Sequence, residues 1–196
     1  MEKQKTNVWK RFFFSSTMED KNTSHKIAYI ALFTAFSVVA NMFFEFKMAD
    51  TQFSLTIAVS ILIGVMIGPL FGFCACFLGD LLGFLYNSGG FAYLPWIGIS
   101  MGLCAFIGGI VMRIPVKRKY FWTLKLFAVC LLTFCLCTVA INTTAFWLLY
   151  SKAPYTTYLF SRMIVQGQIW NSLFNYAVLF ICLPILAQIK VLKINL

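Results

Sequence analysis

Two charges sit in apolar surroundings. Asp80 lies within "FGFCACFLGDLLGF", residues 71–84, and Arg162 within "FSRMIVQGQIW", residues 160–170. An arginine fork can hold a carboxylate through two parallel hydrogen bonds, and an aspartate accepts from hydroxyl, amide or ring N–H groups. Amides accompany them: Asn41, Asn142, Gln166, Gln168, Asn171 and Asn175. So do aromatic residues: Tyr93, Trp96, Trp147 and Tyr150. Helical spacing sorts these groups. Arg162, Gln166 and Trp170 are four apart and share one face. Gln168, Asn171 and Asn175 fall on a roughly opposite face, expected to hydrogen-bond a neighbouring helix. Asn142, Phe146 and Tyr150 share a face, flanked by Thr143 and Trp147. Aromatic walls, amides and one arginine suit a flat heteroaromatic ligand that carries a carboxylate.

Each residue also has a plainer reading. Tryptophan and tyrosine form belts at membrane surfaces, and an arginine can snorkel outward. The cost of an intramembrane charge favours ligand contact for Arg162. Asp80 has three readings: it holds Arg162 or another donor in place, it caps backbone amides of the following "NSGGF" loop, or it binds ligand. The first two are structural and together preferred.

The elements that position these residues are membrane helices. Of 196 residues, 61% are hydrophobic and only 11% charged, against about a quarter charged in a soluble domain. Apolar runs of membrane-spanning length recur. Six spans are expected, at about 26–44, 55–67, 71–86, 96–112, 122–150 and 157–189. Proline ends the second at Gly68-Pro69. Residues 1–25 read as a cytoplasmic tail and 26–196 as one six-helix transmembrane domain. The tail's Trp9 and Phe12, Phe13 and Phe14, beside Lys10 and Arg11, lie along the inner membrane surface or belong to a disordered segment.

The net charge of +10 does not indicate nucleic acid, because of where it lies. Thirteen of the sixteen Lys and Arg residues fall in three clusters flanking apolar runs: Lys3 to Lys26, Arg113 to Lys125, and Lys190 with Lys193. That is the positive-inside pattern, and it places both termini in the cytoplasm. The seven cysteines lie inside apolar runs, and His25 is the only histidine, so a metal site or disulfide framework is not expected. No G-x-x-x-x-G-K-[ST], H-E-x-x-H or G-x-S-x-G motif occurs. With no paired carboxylates in the spans, an enzyme reading is poor and no cofactor is implied. A proton-coupled carrier lacks its relay of ionisable groups. A channel should show a polar stripe through both halves, and the inner halves of spans two, four and five are almost wholly apolar.

An ordered set of motifs resembles a family. "ALFTAF" supplies Ala31 and Ala35 at small-xxx-small spacing, with Ala28 on the same face. "GVMIGPLFGFCACFLGDLLGFLYNSGGFAYLPWIG" looks like a folate-type segment with its glycine-rich loop. "INTTAFWLLY" followed by "FSRMIVQGQIW" is similar to the family's asparagine-threonine-tryptophan element and its arginine. The chain thus resembles the S-component, the substrate-binding membrane subunit, of energy-coupling factor (ECF) vitamin transporters, most of all the folate type, over about residues 26–188. The resemblance implies an all-α six-helix integral membrane protein, multi-pass in a prokaryotic plasma membrane. Its implied partners are a vitamin, a transmembrane coupling subunit and two ATP-binding cassette ATPases on separate chains. It implies a folate-like ligand held by Asn41, Asp80, Trp96, Asn142, Trp147, Tyr150, Arg162 and Gln166. Ala28, Ala31 and Ala35 would be the docking face for the coupling subunit. Glu45 and Asp50 sit awkwardly beside an anionic ligand. The alternatives are the same architecture for another vitamin, such as pantothenate, and a structural or channel subunit.

Overall fold

The structure is a computed structural model and describes residues 22–43, 45–48, 51–86, 93–114 and 121–188. The N-terminal tail, the "NSGGFA" loop at 87–92, the basic loop at 115–120 and the C-terminal lysines lie outside the described residues, as do the side chains of Glu45, Lys47 and Asp50.

Helix α1 spans Thr23–Phe43. A two-stranded antiparallel hairpin follows, β1 at Glu45–Met48 and β2 at Thr51–Ser54, with Glu45 opposite Ser54 and Met48 opposite Thr51. Then come α2 (Thr56–Ile67), α3 (Pro69–Tyr86) and α4 (Pro95–Arg113). Helix α5 runs unbroken over Phe121–Tyr150. Its middle, Thr133–Thr143, winds in wider π-type turns. Helix α6 covers residues 155–165 and is also wide over Ser161–Val165; α7 is Gln168–Ala187.

Five helices are long and apolar enough to cross a membrane: α1, α3, α4, α5 and α7. Two expectations therefore change. The second expected span, α2, has 12 residues and is about 18 Å long, well short of the ~30 Å hydrocarbon core. The sixth is two helices, not one. It breaks at Gln166-Gly167, where Gly167 has φ 70°, the left-handed region that glycine enters without steric cost. The face proposed for Arg162, Gln166 and Trp170 is divided by that break.

The short helix α2 is the hub. Its sequence, "TIAVSILIGVMI", is apolar on every side, the pattern of a helix buried all round. Ile57, Ile61 and Val65 join Cys104, Leu126, Val129, Tyr176, Leu179 and Leu183 in one core cluster with α4, α5 and α7. Val59, Ile63 and Ile67 join Ala40, Ala75, Cys76 and Ala105 in a second with α1, α3 and α4. Close approach is made by glycine. A methyl group on Gly64 would overlap the Ala105 carbonyl, and one on Gly72 would come within 2.7 Å of the Gly64 backbone. Gly68 links α2 to α3 at φ 109°, and Pro69 then starts the new helix, where its missing N–H costs nothing.

Helix α2 has no side-chain cap of its own. Helix α7 supplies the polar contacts instead. Asn175 Oδ1 accepts from Ala58 N at 2.9 Å, and Nδ2 donates to the Ser54 and Asn171 carbonyls. Asn171 Oδ1 accepts from Ser54 N at 2.9 Å. The expected helix-to-helix role of these two amides is met, and it pins the end of the hairpin and the start of α2 together. Asn175 is wholly buried, so Asn175→Ala strands a buried N–H and a carbonyl. Each orphaned group costs about 1–3 kcal/mol. Thermal unfolding in detergent should show a clear fall in midpoint, and Asn175→Asp should not rescue it, because its second oxygen would face the Ser54 and Asn171 carbonyls that Nδ2 now donates to.

Candidate binding site

The chain's alternation gathers the end of α1, the hairpin, the start of α2, the end of α3, the start of α4 and the end of α5 at one end of the bundle. Most of the expected site residues fall in these segments.

Asp80, mostly buried in α3, is bonded to Tyr93, whose hydroxyl donates to Oδ2 at 3.2 Å. Burial first, then the Asp80 charge, push the Tyr93 phenol up to about 12, so it remains a neutral donor at physiological pH. The Tyr93 ring tilts against Phe84 with centroids 5.2 Å apart. Both groups pack against the first turn of α4 at Gly98. A methyl group at Gly98 would stand 2.5 Å from the Tyr93 hydroxyl and 3.2 Å from Asp80 Oδ2. The positive end of the α4 dipole thus lies beside the carboxylate. Trp96, on the same turn, is 53% exposed. Asn41 rests against Gly83 of α3.

The second group comes from α5 and α6. Asn142 lies in the widened stretch of α5, and its Oδ1 is buried without a hydrogen-bond partner. Such widened turns free backbone groups and re-aim side chains, and they recur at functional sites. Within this stretch Thr143 Oγ1 donates to the Thr138 carbonyl at 2.8 Å, five residues back. One turn beyond Asn142, Phe146 carries the Arg162 guanidinium over its ring, 4.2 Å from the centroid. That is a cation–π contact, stronger where water is excluded. Arg162 Nη1 donates to the Tyr158 hydroxyl at 3.4 Å, and Nε is buried without a partner. Trp147 Nε1 donates to the Ala153 carbonyl at 2.8 Å, and its ring meets Tyr155 edge-on at 5.3 Å. These contacts fix the turn between α5 and α6. Tyr150 tilts against Phe146 and is 58% exposed. Gln166 is exposed at the helix break, and Lys152 is exposed in the preceding turn.

Ala28, Ala31 and Ala35 are all exposed, beside Ile27, Leu32, Phe36 and Val39. The opposite side of α1, with Thr34, Ser37 and Ala40, is the one turned into the bundle. Packing within the chain's own bundle therefore does not account for the alanines.

Sequence reasoning missed Tyr158 as a partner of Arg162, although its spacing of four on one helix was a sufficient signal. It also missed the Asp80–Tyr93 bond, which joins two elements across a loop.

The fold, with five helices long and apolar enough to cross a membrane, is that of a membrane protein. A family model described as ECF-type riboflavin transporter, S component, matches residues 21–191. The chain belongs to that family. A solved structure described as the crystal structure of FolT bound with folic acid has the same fold: TM-score 0.63, covering 81% of this chain and 92% of that one, at 20% sequence identity. A search of curated proteins finds no significant match. S components bind a vitamin and work with an ECF module, so this chain is a transporter's binding component and not an enzyme.

Proposed function

We propose that this chain is the vitamin-binding S-component of an importer for folate or reduced folates, in the plasma membrane of a prokaryote. The observation that carries the ligand class is Arg162. Its guanidinium is held on Phe146, its Nε is buried without a partner, and its only protein hydrogen bond among the described residues is a long one to Tyr158. A cation so placed is suited to a ligand carboxylate. Asn142, with its buried free carbonyl oxygen, and Gln166 would meet the polar edge of the ligand. Trp96, Trp147 and Tyr150 would lie along its rings, with Asn41 at the rim.

A second reading is riboflavin, favoured by the description of the matching family model. Riboflavin carries no carboxylate, so it would leave Arg162 without an ionic partner. Native mass spectrometry of the protein purified from its own membrane distinguishes the two. A bound mass equal to a folate supports the first reading, and one equal to riboflavin replaces it.

With the basic segments read as cytoplasmic, the binding end would face outside. The driving machinery would be a transmembrane coupling subunit with two ATP-binding cassette ATPases on separate chains. Exposed Ala28, Ala31 and Ala35 would let a coupling helix approach closely. Replacing Ala31 and Ala35 together by leucine should abolish co-purification with the coupling subunit while vitamin affinity stays within about twofold, because the exposed face touches neither core nor site. An intact complex in the double variant would remove this face from the account.

A further inference from the structure

Asp80 is the one carboxylate in the described spans, and its only hydrogen bond among the described residues is the Tyr93 hydroxyl at 3.2 Å. One neutral hydroxyl is a poor match for a mostly buried carboxylate, whose two oxygens offer about four acceptor positions. The remaining capacity is suited to a partner with N–H groups. The surroundings hold the carboxylate still: Tyr93 from one side, the first turn of α4 at Gly98 beneath it, and no room at Gly98 for a side chain. Phe77 packs on the same position, its ring 3.1 Å from where a methyl group at Gly98 would stand.

We infer that Asp80 reads the ring edge of the vitamin, accepting two adjacent N–H donors, with Tyr93 as the positioning residue that orients it. This rests on the vitamin-binding reading above. The inference selects among flat heterocycles. A 2-amino-4-oxopyrimidine edge, as in pterins, presents an amino N–H beside a ring N–H, and so meets a carboxylate as a guanidinium does. A 2,4-dioxopyrimidine edge, as in lumazines and isoalloxazines, presents carbonyl, N–H, carbonyl. Its two carbonyl oxygens would face the carboxylate and be repelled. Asp80 is thus a specificity determinant for the aminopyrimidine class and against the dioxo class. Discrimination by unpaired or opposed polar groups is steep compared with that by shape.

The test uses the full chain in detergent and four probes: folate, riboflavin, pterin-6-carboxylate and lumazine-6-carboxylate. The wild type should bind the pterin at least about tenfold tighter than the lumazine. In Asp80→Asn, folate and the pterin should weaken on the order of 100-fold, and the pterin–lumazine preference should vanish. Asp80→Glu should recover part of the preference. Tyr93→Phe removes only the orienting hydroxyl; it should reduce the preference while thermal stability changes little.

Equal loss of all four probes in Asp80→Asn would make Asp80 a structural organiser and overturn the inference. Unchanged folate affinity in Asp80→Asn would do so as well. Tight riboflavin binding by the wild type, with no response to the pterin, would overturn the edge assignment but keep the vitamin reading. Silence of the wild type to every probe would sink the vitamin reading itself.

Discussion

Gly64→Ala should leave almost no folded protein. Gly64 sits where α2 crosses α4, and a methyl group there would overlap the Ala105 backbone carbonyl. Its other side is no freer: a methyl group on Gly109 would come within 2.7 Å of the Gly64 carbonyl oxygen and 2.8 Å of Pro69 N, and one on Gly72 within 2.7 Å of the Gly64 Cα. Rotating a side chain away cannot relieve this, because the obstacle is backbone. The helices would have to separate, and α2 contributes to both core clusters. Overpacking a tight core typically costs about 1–3 kcal/mol, and a backbone clash at a three-helix crossing belongs at or above the top of that range. Gly83→Ala is the control. A methyl group there would meet Asn41 at 3.4 Å, an ordinary contact, so that variant should match the wild type in yield and unfolding midpoint. Equal yields of the two variants would mean that α2 and α4 do not cross at Gly64.

Arg162→Ala should weaken folate binding on the order of 100-fold while the protein stays folded. The guanidinium lies on Phe146 and is not needed to neutralise a protein carboxylate, so its removal strands no buried charge. What it removes is the charge-assisted contact with the ligand, about 1.5–3 kcal/mol. Arg162→Lys should fall between the two. Lysine keeps the charge but has neither the planar fork nor the flat face that rests on Phe146. If the natural ligand is riboflavin, Arg162→Ala should change its affinity only a few-fold, because no ionic pair is lost. The comparison therefore reads out ligand class as well as residue role.

Much of the architecture was legible in the sequence. Long apolar runs gave the five long helices, and the Gly68-Pro69 pair gave the break after α2. The Asn171 and Asn175 spacing gave the amide face that contacts a neighbour. The break at Gln166-Gly167 was not read, although the expected span of 157–189 is well over the ~20 residues a crossing helix needs, and a glycine between two glutamines is a plausible stop. The hairpin escaped because four-residue strands with a polar pattern carry little periodicity. The widened turns of α5 have no composition signal beyond their threonines. In the site, the charged residues were legible from their cost in an apolar environment, but their partners were not. Asp80 meets Tyr93 and Arg162 meets Phe146 only once α3 is set against α4 and α5 against α6. Such meetings depend on helix rotation, which spacing alone does not fix.

The most direct test of vitamin binding is calorimetric titration of the purified full-length protein with folate, repeated with riboflavin. The account predicts saturable one-to-one binding of folate at submicromolar affinity, weakened in Arg162→Ala, and little heat with riboflavin. Saturable riboflavin binding with no response to folate would contradict the proposed substrate, and no binding of either would contradict the assignment of this bundle end as the vitamin site.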